Sequence, residues 1–391
     1  MSVTGTAYSP DLTSDEFQTN PWPIYQRLRN TDPVHYSAQA SAFLVVKHAD
    51  VAAALSDRRL ISDFPMRASR RLYGPTVLDS EGQQHREMRQ LFAPMFGVSG
   101  VKRWREEILV PVVEEVLDAV GDATEVDFAE QIAVAVPYGV VTRLLGLPPG
   151  DAPWIRPRVK PLAGVIDLPP APLDDARAAK KELADYWEHL LAERVTGERP
   201  TLIDLLVPPG QAVDPAQLST AILFLLAGTE TSVATISTVM HTVLAHGIEP
   251  DALLDDRFRT QVLRETLRWE PPTHSVLRYA ATSMEIRGVR IPRRAALLLS
   301  LGSANRDEEA FADPDTWRPE RTETRNLTFG AGPHTCLGIQ LAMAEFDVLF
   351  ERMARRYGRL RPGAPLAPLR GHVFRAPEHL RLAWQRRERI A

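Results

Sequence analysis

Apolar residues recur at intervals of three and four along most of the chain, the period of helices that pack by one face. The spacing predicts helices over 23–30, 50–55, 84–96, 102–120, 130–145, 174–196, 217–246 and 257–269, separated by proline-rich joints. Strand-like pieces are short and confined to 42–47, 284–286, 289–291 and 296–300. The fold class that follows is mainly α with a minor β region, and residues 1–391 read as one domain without internal repeats. The proline-rich stretch 148–172, with apolar Val165, Ile166 and Leu168, reads as a covering loop or a linker. The flanking helices show no shift in composition, which favours a covering loop.

Two places break the helical pattern. The 217–246 segment, about 45 Å long at 1.5 Å per residue, opens on the apolar run A-I-L-F-L-L-A. It then turns polar at Gly228, Thr229, Glu230, Thr231 and Ser232. An isolated threonine at 231 would bond back to the carbonyl of Ala227 in a solvated kink.

The second break is F-G-A-G-P-H-T-C-L-G, Phe329 to Gly338, which holds the only cysteine in the chain. Gly330, Gly332 and Gly338 permit a tight turn with amides close to a ligand. Beyond it Ile339, Met343, Phe346, Phe350 and Met353 repeat at helical spacing, so a helix is expected to begin at Cys336. The partial positive charge of a helix N-terminus lowers a thiol's pKa and makes Cys336 a candidate thiolate ligand for iron. A lone cysteine is more commonly an inert, buried, small apolar residue; the loop around it argues for the ligand.

Composition narrows the partners. A hydrophobic content of 44% fits a globular fold, and a single cysteine excludes internal disulfides and cysteine-rich zinc sites. The N-terminus carries no secretory pattern. The longest strongly apolar stretch, 221–227, is far shorter than the roughly 20 residues that cross a bilayer. A net charge of −4 with interspersed signs argues against nucleic acid as a partner. The expectation is a cytoplasmic protein that acts on small molecules, without membrane or nucleic-acid partners.

The Phe329–Gly338 segment resembles the haem-binding loop of the cytochrome P450 family and matches every fixed position of F-G-x-G-x-H/R-x-C-x-G. The resemblance extends from N-P-W-P-I-Y-Q-R-L-R at Asn20 and F-L-V-V-K-H-A-D-V at Phe43 to the last helix. It implies the cytochrome P450 fold and a soluble bacterial-type haem-thiolate monooxygenase. The cofactor it implies is haem b, iron protoporphyrin IX, with Cys336 as the metal ligand and Phe329, Gly330 and Gly338 beside it. His85 and Arg89 match the family's H-x-x-x-R helix, and Arg278 and His334 match further contacts to the haem propionates. A-G-T-E-T-S resembles the oxygen-binding segment, with Glu230 and Thr231 as its acid and alcohol. Glu265 and Arg268 match the buried E-x-x-R pair, and Arg321 in P-E-R-T matches the third member of that clamp. Thr322 replaces the family's phenylalanine, and Asn326 stands where members often carry histidine.

By position, the substrate pocket is expected to draw on Val165, Ile166, Phe224, Ala227, His274, Val276 and Phe374, mostly apolar groups suited to a bulky metabolite. Arg67, Arg70 and Arg71 could meet a substrate carboxylate, although loop arginines are commonly just solvated. No Rossmann fingerprint or iron-sulfur cysteine set is visible. Electrons from NAD(P)H are therefore expected to arrive through separate redox partners, a ferredoxin and a ferredoxin reductase. An acidic ferredoxin would dock near Arg86, Arg103, Arg105, Arg352, Arg355 and Arg356. The expected reaction inserts one atom of O2 into a substrate of bacterial secondary metabolism. The alternatives are a radical coupling or ring-forming enzyme of the same family and a catalytically silent haem-binding protein.

Overall fold

The apolar run 221–227 lies inside one long helix, Pro215–Ala245. Pro215 presets its first turn, and a capping box closes its start: Asp214 accepts from Ala216 N–H while the Gln217 side chain accepts from the Asp214 amide. A helix apolar on nearly every side belongs in a core. By length and composition this one could cross a membrane, yet two thirds of its most apolar window, 67%, is buried inside the protein. The polar stretch 228–232 does not interrupt it. The hydroxyls of Thr229, Thr231 and Thr235 each donate to the carbonyl four residues earlier, so their hydrogen bonds are met within the helix itself.

The computed structural model describes residues 8–167, 170–193, 201–207 and 214–387. Leu168 and the end of the expected 174–196 helix lie outside them. Around the central helix pack Ala135–Leu145, Ala152–Gly164, Leu173–Glu193 and Asp256–Trp269. At Gly228 the first of these packs tightly: a Cβ there would stand 2.7 Å from Val141 Cγ2. The expected helices 102–120 and 130–145 each contain a π turn, Arg105–Leu109 and Ala129–Ala133.

The stretch 148–172 is not a loop: its middle is the helix Ala152–Gly164. Ile155, Val159 and Leu162 face the core at helical spacing, while Pro153 and Pro157 are exposed and Pro161 half-buried. The carbonyls that the prolines leave without a donor therefore lie toward water, which lets the helix continue through residues that ordinarily break one.

The β region is larger than the sequence suggests. A five-stranded sheet runs in the order Val34–Ser37, Ala42–Val45, Ala296–Ser300, Ser275–Ala280 and Leu60–Ile61. Only Ala42–Val45 and Ala296–Ser300 pair in parallel. Three further strands, Glu125–Asp127, Arg381–Arg386 and Tyr357–Pro362, form a second sheet, and Met284–Ile286 with Val289–Ile291 makes a hairpin. The helices share the largest apolar cluster; two smaller clusters flank the five-stranded sheet.

Candidate active site

The cysteine loop is closed by its own backbone. Gly330 and Gly332 adopt φ of 68° and 70°, a region open to glycine at little cost. Gly330 N–H bonds Leu327 O at 2.8 Å, Thr335 N–H bonds Gly332 O at 3.1 Å, and Cys336 N–H bonds Phe329 O at 2.9 Å. A Cβ on Gly332 would meet Leu55 O at 2.6 Å, so this glycine is required by close approach as well. The following helix spans Ile339–Arg356 with Gly338 as its N-cap, three residues later than expected. Asn305, which the sequence reading missed, anchors the entry to the loop: its Oδ1 accepts from Leu327 N–H at 2.6 Å and its Nδ2 donates to Thr328 Oγ1 at 3.0 Å. Asn326 accepts from Thr328 N–H at 3.3 Å, a local turn bond.

Cys336 has exposed surface, yet protein surrounds it closely enough that burial pushes its thiol up. The Gly338 amide and the charge of Arg89 pull the other way without winning. The expectation of a lowered thiol pKa is thus corrected: the N-cap amide of Gly338 reaches the sulfur, but desolvation outweighs it. A sulfur so placed becomes a thiolate when a cation sits against it.

Cations gather beside the loop. His85 and Arg89 lie four residues apart on the helix Gly82–Phe96. The His85 ring lies 4.1 Å from that of His334, tilted by 32°. His334 Nε2 is 3.1 Å from Glu81 Oε1, and Arg89 Nη1 donates to Thr335 O at 2.7 Å. Arg278, on the strand Ser275–Ala280, is 5% exposed and among the described residues bonds only its neighbour Leu277 O, at 2.9 Å. No carboxylate among the described residues lies within ion-pair distance of it. Burial pulls Arg278 down to about 10 and His85 down to about 4, and the His85 Nε2 is buried without a partner. Burying a cation without an anion is costly. The site therefore fits a ligand that carries carboxylates, such as the two propionates of haem.

Arg67 and Arg70 are committed elsewhere. Arg67 is buried with its Nε 3.3 Å from Asp79 Oδ1, and Arg70 Nη1 donates to Asp79 O at 2.8 Å. Both tie the 62–81 segment together, and Arg67, buried against Asp79, is not free for a substrate carboxylate.

Glu265, Arg268 and Arg321 come together as expected. Arg268 binds Glu265 through two bonds of 2.8 and 2.7 Å and reaches the carbonyls of Asn305 and Pro314, both at 2.8 Å. Arg321 Nε adds a bond to Glu265 Oε1 at 3.1 Å. Thr322 is exposed, so nothing apolar packs where the family pattern has phenylalanine.

On the central helix Phe224, Ala227 and Thr231 share one face and form its open stripe: Ala227 is exposed and the other two half-exposed, between stretches that are largely buried. Phe224 packs edge-on against Phe92, with ring centroids 4.8 Å apart. Thr231 Oγ1 donates to Ala227 O at 2.7 Å. Glu230 points elsewhere, and accepts from the Tyr138 hydroxyl at 3.0 Å. Burial pushes its carboxyl up, against the pull of Tyr138, Arg156 and Lys160.

Of the remaining pocket residues, Val165 is buried, and Ile166, Val276 and Phe374 are half-buried. Phe374 pairs with Thr273 in an isolated bridge, and the neighbouring Val373 N–H bonds Asp167. His274 stands apart from them. It is 1% exposed, its Nε2 lies 3.1 Å from Glu270, and burial holds it near 4 in a polar network with Arg306 and Arg375.

The sequence reading also missed Glu345. It is buried on the Ile339–Arg356 helix; Ser232 Oγ donates to Oε2 at 3.3 Å, and Oε1 has no partner among the described residues. Burial pushes it up to about 8. The signal was present in the sequence, for Glu345 sits four residues from both Leu341 and Leu349 on an apolar face.

The basic face expected to receive a redox partner is largely neutralised within the chain. Arg103, Arg105, Arg352, Arg355 and Arg356 all pair with acids, among them Asp347, Glu351 and Glu114. Arg86 is exposed, with no ion-pair partner among the described residues.

The family model for cytochrome P450 matches residues 257–369. The 6-deoxyerythronolide B hydroxylase of Saccharopolyspora erythraea is 30% identical over 382 residues, covering 90% of this chain and 93% of that protein. The vitamin D(3) 25-hydroxylase of Pseudonocardia autotrophica is 30% identical, covering 90% of each chain. The solved structure of CxnD, a cytochrome P450 for C-S bond formation in chuangxinmycin biosynthesis, superposes with a TM-score of 0.85 at 27% identity, covering 96% of this chain and 98% of that one. The chain belongs to the cytochrome P450 family, and is a monooxygenase that works with haem b and with electrons passed from NAD(P)H by separate redox partners.

Proposed function

We propose that this chain is a single-domain, cytoplasmic enzyme that oxidises a bulky, mainly apolar small molecule of bacterial secondary metabolism. The observation that carries the site assignment is Arg278, a buried guanidinium with no carboxylate within ion-pair distance among the described residues, beside the unpartnered nitrogen of His85. In this reading Cys336 holds the iron as thiolate, and Arg278, Arg89, His85 and His334 hold the propionates. Glu265, Arg268 and Arg321 keep the loop side of the core rigid.

Haem b, when bound, supplies reductive activation of O2. The chain's own groups do the rest. The Gly338 amide donates to the Cys336 sulfur and so tempers the thiolate. Phe224 and Ala227, with Val165, Ile166, Val276 and Phe374, offer an apolar surface that excludes water and favours a substrate without charge. The Thr231 hydroxyl gives its hydrogen to Ala227 O and keeps its lone pairs for an incoming proton donor. Glu230, whose affinity for a proton is raised by burial, is the carrier that resupplies it.

The reduced protein under carbon monoxide tests the ligand: it should show the strongly red-shifted Soret band of thiolate haem, and a histidine-type spectrum in fresh protein would overturn Cys336. A screen for compounds that shift the Soret band of the haem-loaded protein then identifies the substrate class. A second reading, oxidative bond formation in place of oxygen insertion, is supported by the likeness to CxnD, a cytochrome P450 for C-S bond formation. Products lacking a new oxygen atom under labelled O2 would select it. A ferredoxin with its reductase is the proposed electron source.

A further inference from the structure

We propose that Tyr138 is a positioning residue for proton delivery: its hydroxyl holds the Glu230 carboxyl against the Ala135–Leu145 helix and sets how tightly that carboxyl binds its proton. The inference rests on the reading of Glu230 as the proton carrier.

The geometry is fixed from both sides. Tyr138 is 3% exposed, and its hydroxyl donates to Glu230 Oε1 at 3.0 Å. The two helices that carry the pair cannot drift closer, because Gly228 already lies against Val141 with no room for a Cβ. The donor is therefore presented from rigid elements.

The groups that face Glu230 leave the phenol in control. From the helix Ala152–Gly164 come Arg156 and Lys160, which act on Glu230 only through their charge. Arg156 is held at both of its terminal nitrogens by Glu130, on the Ala129–Ala133 turn. On the central helix Thr229 meets the Tyr138 hydroxyl, while its own hydroxyl donates to Leu225 O at 2.8 Å. Among the described residues no cation lies within ion-pair distance of Glu230, so its direct hydrogen bond comes from a neutral phenol.

Tyr138 does not itself release a proton, because burial and the neighbouring carboxyl push its own affinity far above the usual range. What it can do is favour one state of Glu230. A hydrogen bond donated to a carboxylate stabilises the ionised form, so the phenol opposes burial and keeps Glu230 able to give up its proton and take it back.

The test is infrared titration of the holoenzyme, with the Glu230 carboxylic acid band identified by its loss in Glu230→Gln. Tyr138→Phe keeps the ring and removes the donor. It should raise the proton affinity of Glu230 about tenfold, a shift of about one pH unit upward. The alkaline limb of coupled turnover should move the same way, and the variant should have no further effect in a Glu230→Gln background. A Glu230 band that titrates at the same pH in wild type and Tyr138→Phe overturns the inference. Unchanged turnover in Glu230→Gln overturns the carrier reading instead, while the infrared shift still decides what Tyr138 does to Glu230.

Discussion

Ser232 Oγ lies 3.3 Å from Glu345 Oε2, which places a hydrogen-bonded carboxyl between the central helix and the helix that follows the cysteine loop. Glu345 is buried, its second oxygen has no partner among the described residues, and burial raises it from 4.5 to about 8. Between those values the folded chain keeps a proton that the unfolded chain has released, so stability should fall as pH rises through that window. The shift corresponds to no more than about 5 kcal/mol. Glu345→Gln keeps a hydrogen-bonding amide and cannot ionise. Thermal unfolding at pH 5 and pH 9 should show a smaller loss for the variant than for wild type; equal losses would mean that Glu345 is solvated in solution.

Arg278 should behave oppositely in the presence and absence of its ligand. Without haem it is a buried cation without an ion-pair partner, so Arg278→Met should leave the haem-free protein as stable as wild type or more so by about 1 kcal/mol. With haem the same change removes a charge-assisted bond to a propionate and should speed loss of the cofactor. Haem transfer to a scavenger protein measures the second effect and calorimetry the first. Undiminished haem retention, in this variant and in Arg89→Ala with Arg278→Ala, would remove both residues from the propionate site.

The two glycines of the loop separate strain from contact. Gly330→Ala meets nothing nearer than His334 O at 3.9 Å, so its cost is that of a positive φ, about 1 to 2 kcal/mol. Gly332→Ala adds a 2.6 Å approach to Leu55 O and should lose more stability and more haem. Melting temperatures of the two holoproteins order them; a milder effect at 332 would show that the loop relaxes away from Leu55.

Salt dependence of reduction by an acidic ferredoxin should be weaker than the number of arginines on that face suggests. Arg105 is bound to Asp347 and Glu351, and Arg356 to Glu114 and Asp118, so those charges are largely neutralised where they stand. Arg86→Glu should slow reduction several-fold, since Arg86 has no such partner among the described residues. Stopped-flow reduction across a salt series distinguishes this from a face steered by all six arginines.

The parts legible in the sequence were those governed by local period and fixed motif. The central helix and the cysteine turn depend on spacing within a short stretch, while the Glu265 clamp, whose Arg321 lies 56 residues away, was read from a family motif; the structure assembles all three. The misreadings share another cause. The Ala152–Gly164 helix survives its prolines because Ile155, Val159 and Leu162 bury the opposite face, a tertiary effect that local rules miss. The strand Ser275–Ala280 does not alternate, since neighbours on both sides and covering helices bury it irregularly. His274 resembled a pocket residue by position, but its burial against Glu270 depends on Arg375, about a hundred residues away. Tyr138 and Glu345 matter through partners on other helices, which no spacing in one segment reveals.

Thr231 offers the sharpest separation of stability from chemistry. Its hydroxyl donates to Ala227 O inside an unbroken helix, so Thr231→Ala removes a bond that the helix does not need and installs a better helix former. Stability should hold or rise by about 0.5 kcal/mol. The thiolate spectrum and substrate-induced spectral shift should also persist, because neither depends on that oxygen. What should change is the fate of the electrons: without a hydroxyl to receive and pass the proton, NAD(P)H consumption should yield hydrogen peroxide at the expense of product. Thr231→Ser, which keeps the oxygen, should restore most of the coupling. Product and peroxide measured per NAD(P)H consumed decide the matter. If Thr231→Ala couples as well as wild type, the residue is a structural feature of the helix and protons travel by another route, for which the Glu345 and Ser232 pair is the next place to look.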